Sequence, residues 1–389
     1  MPYLYRIYNF SFMRIGFEAK RAIQNHTGLG NYSRYIIAIL SKYYPENSYV
    51  LFAPKNRQNA KLESISSKNK NISFVFPPRK HKIWASLWRL WRIKKSIGKH
   101  QVDIFHGLSN ELPIGIKGAR TKTVVTIHDL IFLRFPEYYK LIDRLIYRIK
   151  FRYACRKTDK IIAVSECTKR DIVSFFHIPE EKIEVIYQGC QAAFREEADQ
   201  ETKDRIRLKY QLPQRFLLNV GSIENRKNLL LIAKSLKQLP EDIHLVAIGK
   251  STPYQQEIEE FVRKERLTSR VHIFNRIETN ELPAFYQLSE IFIYPSFFEG
   301  FGIPIIEALS CRVPVIAAQG SCLEEAGGPD SIYIDPNNEE ELAEQVIRIL
   351  TQPELKKQMI DAGEQYIRRF SEEKIAEELM YLYKNLQKK

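Results

Sequence analysis

The chain has 389 residues, of which 44% are hydrophobic and 12% aromatic, so it can form two domains with their own cores and is not a disordered protein. Of its 60 basic and 46 acidic residues, residues 1–190 hold 34 and 14, which leaves 26 and 32 for residues 191–389. The net charge of +14 thus belongs to the first half, which can attract nucleic acid, anionic lipid or an anionic substrate. The sequence contains no run of about 18 apolar residues, so it predicts no membrane-spanning helix.

Neither the N-terminal residues nor the cysteines indicate a secreted protein. The five cysteines show no CxxC spacing, and an odd number without a disulfide framework predicts reduced thiols and a cytosolic protein. Residues 1–12 are aromatic but lack the charged-then-apolar order of a signal peptide. Because Met13 opens the first convincing strand, we interpret residues 1–12 as an appendage or a misassigned start.

Predicted strands and helices alternate along almost the whole chain, which indicates parallel sheets covered by helices. The first-half strands are predicted near residues 14–18, 49–53, 103–106, 123–127, 160–164 and 184–187. The second-half strands are predicted near residues 216–220, 244–248, 271–274, 291–294, 313–317 and 331–335. An acid-rich connection separates the halves, so we predict domains at 1–195 and 196–370 and a terminal helix in 371–389.

A glycine pair, Gly28 and Gly30, lies between the first predicted strand and the first predicted helix. Glycine lets a backbone approach a ligand closely, and the N–H groups at a helix start can bind phosphate. Taken alone, such a pair occurs in many folds.

Residues 79–95 are the most basic run and contain all three tryptophans. Ile83, Leu87, Leu90 and Trp91 recur at helical spacing, so the run predicts an amphipathic helix. Basic residues beside tryptophan suit an anionic membrane surface, for which residues 79–100 are the candidate. The alternative is an ordinary helix that packs its apolar face on the sheet and leaves its cations in water.

Polar residues lie at the ends of three first-half strands. His128 and Asp129 close the strand predicted at 123–127, where the alternative interpretation is a histidine bonded to its neighbours. Asp103 and His106 belong to another strand end, and Ser165 follows a third. Because open α/β sheets bind ligands beyond the carboxyl ends of their strands, these residues are candidates for the lining of a site.

In the second half, Arg226 and Lys227 lie in the loop that follows the first strand. Adjacent arginine and lysine suit a diphosphate, because arginine offers a planar fork and lysine a mobile point charge. The alternative is a solvated helix start before three leucines.

The segment after the strand predicted at 291–294 carries two carboxylates, Glu299 and Glu307, around Gly300 and Gly302. Strand, glycine turn and helix start predict a phosphate site, which carboxylates should repel. A ligand with both a diphosphate and hydroxyls resolves the conflict, because N–H groups hold the anion and the carboxylates accept hydrogen bonds from hydroxyls. The segment therefore predicts a nucleotide-sugar site, although such turns and two solvated glutamates also occur without one.

Residues 298–309 closely resemble the glutamate–seven–glutamate signature of retaining GT-B-fold glycosyltransferases of the family 4 type, and residues 311–318 resemble the next strand of that family. The resemblance covers nearly the whole chain from Met13 and is strongest in 216–335. It implies two Rossmann-like α/β domains that face each other across a cleft, with the C-terminal helix crossing back to the first domain.

The resemblance also assigns roles to the candidate residues. Lys227 matches the lysine of the phosphate-binding loop, and Arg226 stands beside it. His128 matches the histidine that faces the donor sugar and would bond its primary hydroxyl, with Asp129 holding the imidazole tautomer. Glu299 would hold sugar hydroxyls. The remaining donor-binding candidates are Gly28, Gly30, Ser222, Arg276, Ile277, Gly300, Phe301, Gly302 and Glu307, of which Ser222 replaces an arginine found in many relatives; the acceptor-side candidates are Asp103, His106 and Ser165.

The reaction implied by the resemblance uses a nucleoside diphosphate sugar, same-face attack by a saccharide acceptor, and no cofactor. We predict no metal, because there is no DxD triplet or ligand cluster and basic residues with helix dipoles replace the cation in the family. Likeness to bacterial mannosyltransferases of surface polysaccharide synthesis suggests GDP-mannose and a lipid-linked acceptor; the alternative donor is a UDP-sugar. The expected location is the cytoplasm or the inner face of the plasma membrane.

Two other classes of protein are considered. A glycoside hydrolase also uses paired carboxylates, but the loop with Arg226 and Lys227 argues against it. A nucleic-acid-binding protein would explain the basic half, but the sequence has no such motif and its charge is spread over an α/β domain.

Overall fold

The computed structural model describes residues 12–25, 27–54, 67, 69–77, 88–116 and 120–388. The chain forms two compact units: the first holds residues up to Val164, Lys169–Ile186 and Glu372–Lys389, and the second holds Ser165–Thr168 and Tyr187–Ser371. The domain boundaries predicted after residues 195 and 370 lie near these divisions and stay predictions.

The first unit contains a parallel sheet of seven strands in the order β3-β2-β1-β4-β5-β6-β7. The strands are β1 (Arg14–Glu18), β2 (Ser48–Phe52), β3 (Ile72–Val75), β4 (Ile104–Gly107), β5 (Lys122–Ile127), β6 (Lys160–Ala163) and β7 (Ile183–Val185). The helices are α1 (Lys20–Gln24), α2 (Gly28–Tyr43), α3 (Ile93–Lys99), α4 (Ile131–Arg134), α5 (Leu141–Lys157) and α6 (Glu166–Phe176), whose first three residues belong to the second unit. The order turns at β1, so the crevice of the sheet lies beyond the carboxyl ends of β1 and β4.

The second unit contains a parallel sheet of six strands in the order β10-β9-β8-β11-β12-β13. The strands are β8 (Arg215–Val220), β9 (Ile243–Ile248), β10 (Val271–Phe274), β11 (Ile291–Tyr294), β12 (Val315–Ala318) and β13 (Ile332–Ile334). The helices are α7 (Gln200–Tyr210), α8 (Leu229–Ser235), α9 (Tyr254–Lys264), α10 (Leu282–Leu288), α11 (Ile303–Ser310), α12 (Leu323–Gly327), α13 (Glu339–Thr351) and α14 (Pro353–Tyr366). Here the order turns between β8 and β11, which puts the loops after these two strands at the ligand-binding edge.

The last helix, α15 (Glu372–Lys388), belongs to the first unit. Leu379, Met380 and Tyr383 are buried in the core that also contains the apolar residues of β1 and α2. Lys42 of α2 donates to Glu372 at 2.9 Å. The predicted return of the C-terminal helix to the first domain is confirmed.

Most strands lie inside covered parallel sheets because their side chains are apolar on both faces. All four side chains of β11 are at most 1% exposed, as expected for a central strand of a parallel sheet covered on both sides. All twelve predicted strands are present, with ends within two residues of those predicted. The sequence missed β3, an edge strand whose side chains are half-buried or exposed and which therefore lacks a continuous apolar run. The prediction of two Rossmann-like sheets is confirmed.

The described part of the basic tryptophan run is an ordinary packed helix. A π-helical turn, Trp88–Arg92, leads into α3. Trp88, Ile93 and Ile97 are at most 4% exposed and lie in the core of the first unit, so their apolar surface faces protein. Residues 79–87 of the predicted membrane surface lie outside the described residues. In the described ranges of the chain, no helix is long and apolar enough to cross a bilayer.

Candidate functional site

Lys227 and Arg226 converge on one carboxylate oxygen. They lie in a 3₁₀ turn after β8, and Glu299 follows β11, the strand paired with β8. Lys227 Nζ donates to Glu299 Oε1 at 2.8 Å and to the Tyr294 hydroxyl at 2.6 Å. Arg226 Nη1 lies 2.8 Å from the same Glu299 oxygen. The two cations predicted to hold a diphosphate are therefore paired with the carboxylate predicted to hold a sugar.

This ion cluster is shielded from water and holds its charges firmly. The side chains of Arg226, Lys227 and Glu299 are 15%, 12% and 13% exposed, so their interactions are only weakly screened. Burial raises the pKa of Glu299, but the charges of Lys227 and Arg226 outweigh it and lower that pKa to about 2. Arg226 also donates to Glu224 at 2.8 Å, so two cations face two carboxylates. An arriving diphosphate must therefore draw the cations away from their carboxylates or use other donors.

The second carboxylate oxygen of Glu299 has a different environment. Lys227, Arg226 and the Tyr294 hydroxyl, which is 3.1 Å away, all contact Oε1. Within the described ranges no hydrogen-bond partner reaches Oε2. This oxygen can accept a hydrogen bond from a ligand hydroxyl while Oε1 stays bound to the cations.

The loop that follows β11 directs its backbone carbonyls toward side chains of its own unit. The hydrogen bonds run from Arg226 to Phe298 O, from the Cys322 thiol to Glu299 O and Phe301 O at 3.0 Å, and from Ser165 Oγ to Gly300 O at 2.7 Å. By contrast, the N–H groups of residues 299–303 make no hydrogen bond within the part of the chain that the structure describes. These N–H groups at the start of α11 are available to an anion.

Two glycines are required by this local geometry. Gly302 precedes α11 with a φ of +136°, and a Cβ there would lie 3.1 Å from the Ala326 Cβ. A Cβ at Gly221 would lie 2.9 Å from the Lys227 Cδ. The first glycine therefore permits the turn into α11, and the second lets the lysine side chain cross the end of β8.

Phe301 anchors this loop through its side chain. It is 3% exposed, stacks on Tyr187 at a ring distance of 5.4 Å, and meets Phe370 edge-on at 5.6 Å. The aromatic ring predicted among the donor-binding residues is thus packed inside the second unit. At Phe301 the backbone N–H, and not the ring, is available to a bound nucleotide sugar.

Glu307 lies on α11 and has an unusual protonation equilibrium. Its Oε2 accepts a hydrogen bond from the Tyr286 hydroxyl at 2.9 Å. Burial raises the pKa of Glu307 to about 7, and the Tyr286 hydrogen bond offsets this only partly. Near neutral pH the carboxyl group is therefore shared between its protonated and ionised forms, and either form can bond a ribose or sugar hydroxyl.

The other donor-site candidates of the second unit lie at the same edge of its sheet. Ser222 is half-buried and follows β8, next to the glycine that packs under Lys227. Arg276 is exposed and Ile277 half-buried, directly after the edge strand β10. All three lie at carboxyl ends of parallel strands, as predicted, and their contact with a donor stays a prediction.

His128 lies in the first unit, directly after β5, and is 7% exposed. Its Nε2 lies 2.9 Å from the Leu108 carbonyl, which can only accept, so Nε2 carries the proton. Burial lowers the pKa of His128 to about 4, so the ring is neutral near pH 7. The Leu108 carbonyl thereby helps to fix the tautomer. The Asp129 carboxylate accepts the Ile131 N–H at 3.2 Å, and its expected action on the imidazole stays a prediction.

The glycine pair at the start of α2 has two different explanations. A Cβ at Gly30 would lie 1.9 Å from the Asn25 carbonyl oxygen, so packing within the chain alone requires this glycine. A Cβ at Gly28 would meet no atom within 4 Å. Of the two, Gly28 has the open surroundings that a ligand contact needs.

The three acceptor-side candidates have structural partners. Asp103 precedes β4 and accepts the Arg14 N–H at 2.8 Å, which corrects its predicted place at the strand's carboxyl end. His106 is fully buried between the Tyr383 hydroxyl at 2.7 Å and Thr126 Oγ1 at 2.8 Å, and burial lowers its pKa to about 3. The Ser165 hydroxyl donates a hydrogen bond to the Gly300 carbonyl at 2.7 Å. This geometry gives no support to an acceptor role for these side chains.

The sequence interpretation missed three residues that shape the site. Tyr294 bonds both Lys227 and Glu299, Tyr286 bonds Glu307, and Cys322 bonds two carbonyls of the loop. A tyrosine that ends a predicted buried strand was the one available signal, because a buried hydroxyl needs a partner. All five cysteines are buried free thiols. The described residues contain no cluster of three metal-ligating side chains.

Two family models and several curated relatives match the chain. Residues 36–194 match the family model for glycosyltransferase family 4, and residues 200–366 match the model for glycosyl transferases group 1. The chain is 25% identical over 391 residues to O-antigen chain mannosyltransferase B of Escherichia coli, with 96% of this chain and 100% of the relative covered. It is 26% identical over 215 residues to O-antigen chain mannosyltransferase RfbU of Salmonella typhimurium, covering 55% and 57% of the two chains.

The fold is also similar to solved structures. The Anabaena protein HepE in complex with UDP-glucose matches with a TM-score of 0.76 and 15% identity, over 96% of this chain and 100% of that chain. At this identity the likeness concerns the fold, and it confirms the predicted fold class.

Proposed function

We propose that this chain, which belongs to the group 1 glycosyltransferases with an amino-terminal part of family 4, transfers mannose from GDP-mannose to a lipid-linked saccharide with retention of configuration. The observation that carries the donor site is Glu299, whose Oε1 holds Lys227 and Arg226 while Oε2 has no partner among the described residues. The mannose donor is supported by the O-antigen mannosyltransferase relatives, and the setting would be bacterial surface polysaccharide synthesis at the inner face of the membrane.

In the proposed complex the diphosphate binds to the N–H groups of residues 299–303 at the start of α11. Lys227 and Arg226 donate some of their hydrogen bonds to the phosphate oxygens and keep the others to Glu299. Glu299 Oε2 accepts a hydrogen bond from a sugar hydroxyl, and Glu307 accepts one from the ribose or the sugar. A single ligand with hydroxyls on one side and a diphosphate on the other satisfies both kinds of group.

The chemical step places negative charge on the leaving diphosphate. Donors that are already oriented toward this charge lower the barrier, because they need no rearrangement during the reaction. A Glu299 carboxylate with a pKa of about 2 and two bound cations is a poor base and a poor nucleophile. Glu299 is therefore not proposed as a nucleophile. As the family resemblance implies, the acceptor would attack from the face that the diphosphate leaves, and the leaving phosphate would take its proton.

His128 contributes orientation in this proposal. The neutral ring, held through Nε2 by the Leu108 carbonyl, would bond the primary hydroxyl of the sugar, which is the role that the family resemblance gives this histidine. The two cations of the phosphate loop supply the positive charge that a metal supplies in other transferases, so the proposal includes neither a metal nor a cofactor.

Thermal unfolding with a set of donors tests this function. Purified protein is heated alone and with GDP-mannose, GDP, UDP-glucose, UDP-N-acetylglucosamine and UDP. A ligand at 100 times its Kd stabilises the folded chain by about 2.7 kcal/mol, so GDP-mannose should raise Tm by several degrees and more than the UDP-sugars do. A shift with a UDP-sugar alone would make a UDP-sugar the donor instead, as in the complex of HepE with UDP-glucose. No shift with any of these ligands would refute the proposal.

A further inference from the structure

Helix α5 (Leu141–Lys157) exposes a row of large apolar side chains. Leu141, Ile142, Leu145 and Ile149 are 77%, 73%, 60% and 61% exposed. Their spacing of one, four and eight residues from Leu141 places them on one side of the helix. Six of the thirteen large apolar side chains that are exposed among the described residues belong to this helix. Such a concentration on one surface marks an interaction site.

The opposite side of α5 is firmly packed. Phe151, Ala154 and Cys155 are at most 8% exposed and lie in the core of the first unit. The hydroxyl of Tyr153 accepts the Gly115 N–H at 2.7 Å. The helix is therefore held in place by one apolar side, and its exposed apolar side is additional to what the fold needs.

Exposed cations flank this apolar surface. The helix sequence contains six cationic residues and one acidic residue, Asp143. Arg148 and Arg156 are exposed, and Lys140, also exposed, precedes the helix. Arg156 lies eleven residues after Leu145, which is three turns, so it continues the same side of the helix. The surface thus combines leucine and isoleucine side chains with flanking cations.

We propose that the exposed side of α5 docks on an anionic lipid bilayer. The leucine and isoleucine side chains would enter the boundary between head groups and acyl chains, and the arginine and lysine side chains would bind the lipid phosphates. This surface differs from residues 79–100, whose described apolar side chains lie in the core.

A second copy of the chain is a poorer occupant of this surface. Two copies related by a twofold axis would set the same patch against itself and bring the cations of both helices together. Nucleic acid or an anionic saccharide would neutralise the cations but leave four apolar side chains in water. An anionic bilayer is the partner that matches both the charge and the apolar row.

The reason for membrane docking rests on the proposed function, because a lipid-linked acceptor is found at a membrane. The test is independent of it, since vesicle binding is measured without a donor. Failure of docking and failure of donor binding are therefore distinguishable.

Vesicle flotation of the full chain provides the test. Wild-type protein is mixed with vesicles of phosphatidylcholine alone, or with about 30% phosphatidylglycerol, at about 0.15 M salt. The test variant is Leu145→Glu/Ile149→Glu. The matched control is Leu208→Glu/Tyr381→Glu, which changes the net charge equally at side chains 81% and 70% exposed outside α5. Circular dichroism and Tm show that both variants fold.

We expect wild-type and control proteins to float with the anionic vesicles and the α5 variant to bind at least about tenfold more weakly. Arg148→Gln/Arg156→Gln should also weaken binding. Equal binding of the α5 variant and the control would overturn the proposal, as would absence of wild-type binding or equal binding to both vesicle types. Self-association of the wild type without lipid, lost in the α5 variant, would assign the surface to a second copy and also overturn it.

Discussion

Lys227 and Glu299, 72 residues apart in the chain, form a shielded ion pair with a distance of 2.8 Å between Nζ and Oε1. The pair lies where β8 and β11 adjoin in the sheet of the second unit. Glu299 holds the Lys227 ammonium in one position, so in the proposed complex the donor would not have to order this side chain. The same contact means that Glu299 and a diphosphate compete for the cation.

Replacing Lys227 with methionine should weaken nucleotide binding by about 10- to 100-fold, because a charge-assisted contact with phosphate is lost. Calorimetric titration with GDP measures the change. The matched variant Tyr294→Phe removes only the hydroxyl that bonds Lys227 and should change the Kd by less than about fivefold. If GDP bound equally well to Lys227→Met and wild type, Lys227 would have no role in phosphate binding.

Glu307→Gln should alter the pH dependence of stability. The pKa of Glu307 in the folded chain is about 7, above its ordinary value of 4.5. As pH rises between these values, the unfolded chain loses this proton and the folded chain keeps it, so the free energy of unfolding falls. The glutamine variant lacks this loss and should gain on the order of 1–3 kcal/mol relative to wild type between pH 5 and pH 8.

Urea unfolding at the two pH values measures this difference. Glu260→Gln, at an exposed position of α9, serves as the control and should show no such gain. A difference between Glu307→Gln and wild type that is the same at pH 5 and pH 8 would contradict a raised pKa for Glu307.

His128→Asn should reduce turnover by about 100-fold while GDP affinity changes less than about twofold, because His128 is proposed to orient the sugar and not the nucleotide. Since the ring is neutral above a pKa of about 4, the turnover of the wild type should show no step from His128 between pH 5.5 and 8. His177→Asn is the matched control: this histidine is exposed and has a φ of +54°, which asparagine tolerates. Unchanged turnover in His128→Asn would remove the residue from the mechanism.

Gly302→Ala should destabilise the chain by about 1–3 kcal/mol and weaken donor binding, because the φ of +136° and the close Ala326 side chain both oppose a Cβ. Gly28→Ala, where a Cβ meets no atom within 4 Å, should change the free energy of unfolding by less than about 1 kcal/mol. Denaturant unfolding compares the two. Equal effects would show that the geometry at Gly302 does not need glycine.

The sequence predicted the sheets well because most strands are continuous apolar runs, such as β11 with its four buried side chains. It failed at β3, since a half-exposed edge strand has no such run. The sequence also placed Lys227 and Glu299 at the carboxyl edge of one sheet, because both residues follow strands of that parallel sheet.

The partners of individual atoms could not be predicted. The hydrogen bond from Ser165 to Gly300 spans 135 residues, and the hydrogen bond between His106 and Tyr383 spans 277. Such contacts depend on how the chain folds back in three dimensions, and a serine or histidine at a strand end has the same local sequence whether it braces a loop or contacts a ligand.

In the proposed complex Glu299 binds the sugar, and Lys227 and Arg226 bind the diphosphate. Calorimetric titration of wild type and Glu299→Gln with GDP and with GDP-mannose tests it most directly. Because the variant removes the carboxylate charge that Lys227 and Arg226 share, GDP should bind it as tightly as wild type or more tightly, whereas the advantage of GDP-mannose over GDP should fall by about tenfold. An unchanged advantage of GDP-mannose in Glu299→Gln would contradict the assignment of Glu299 to the sugar.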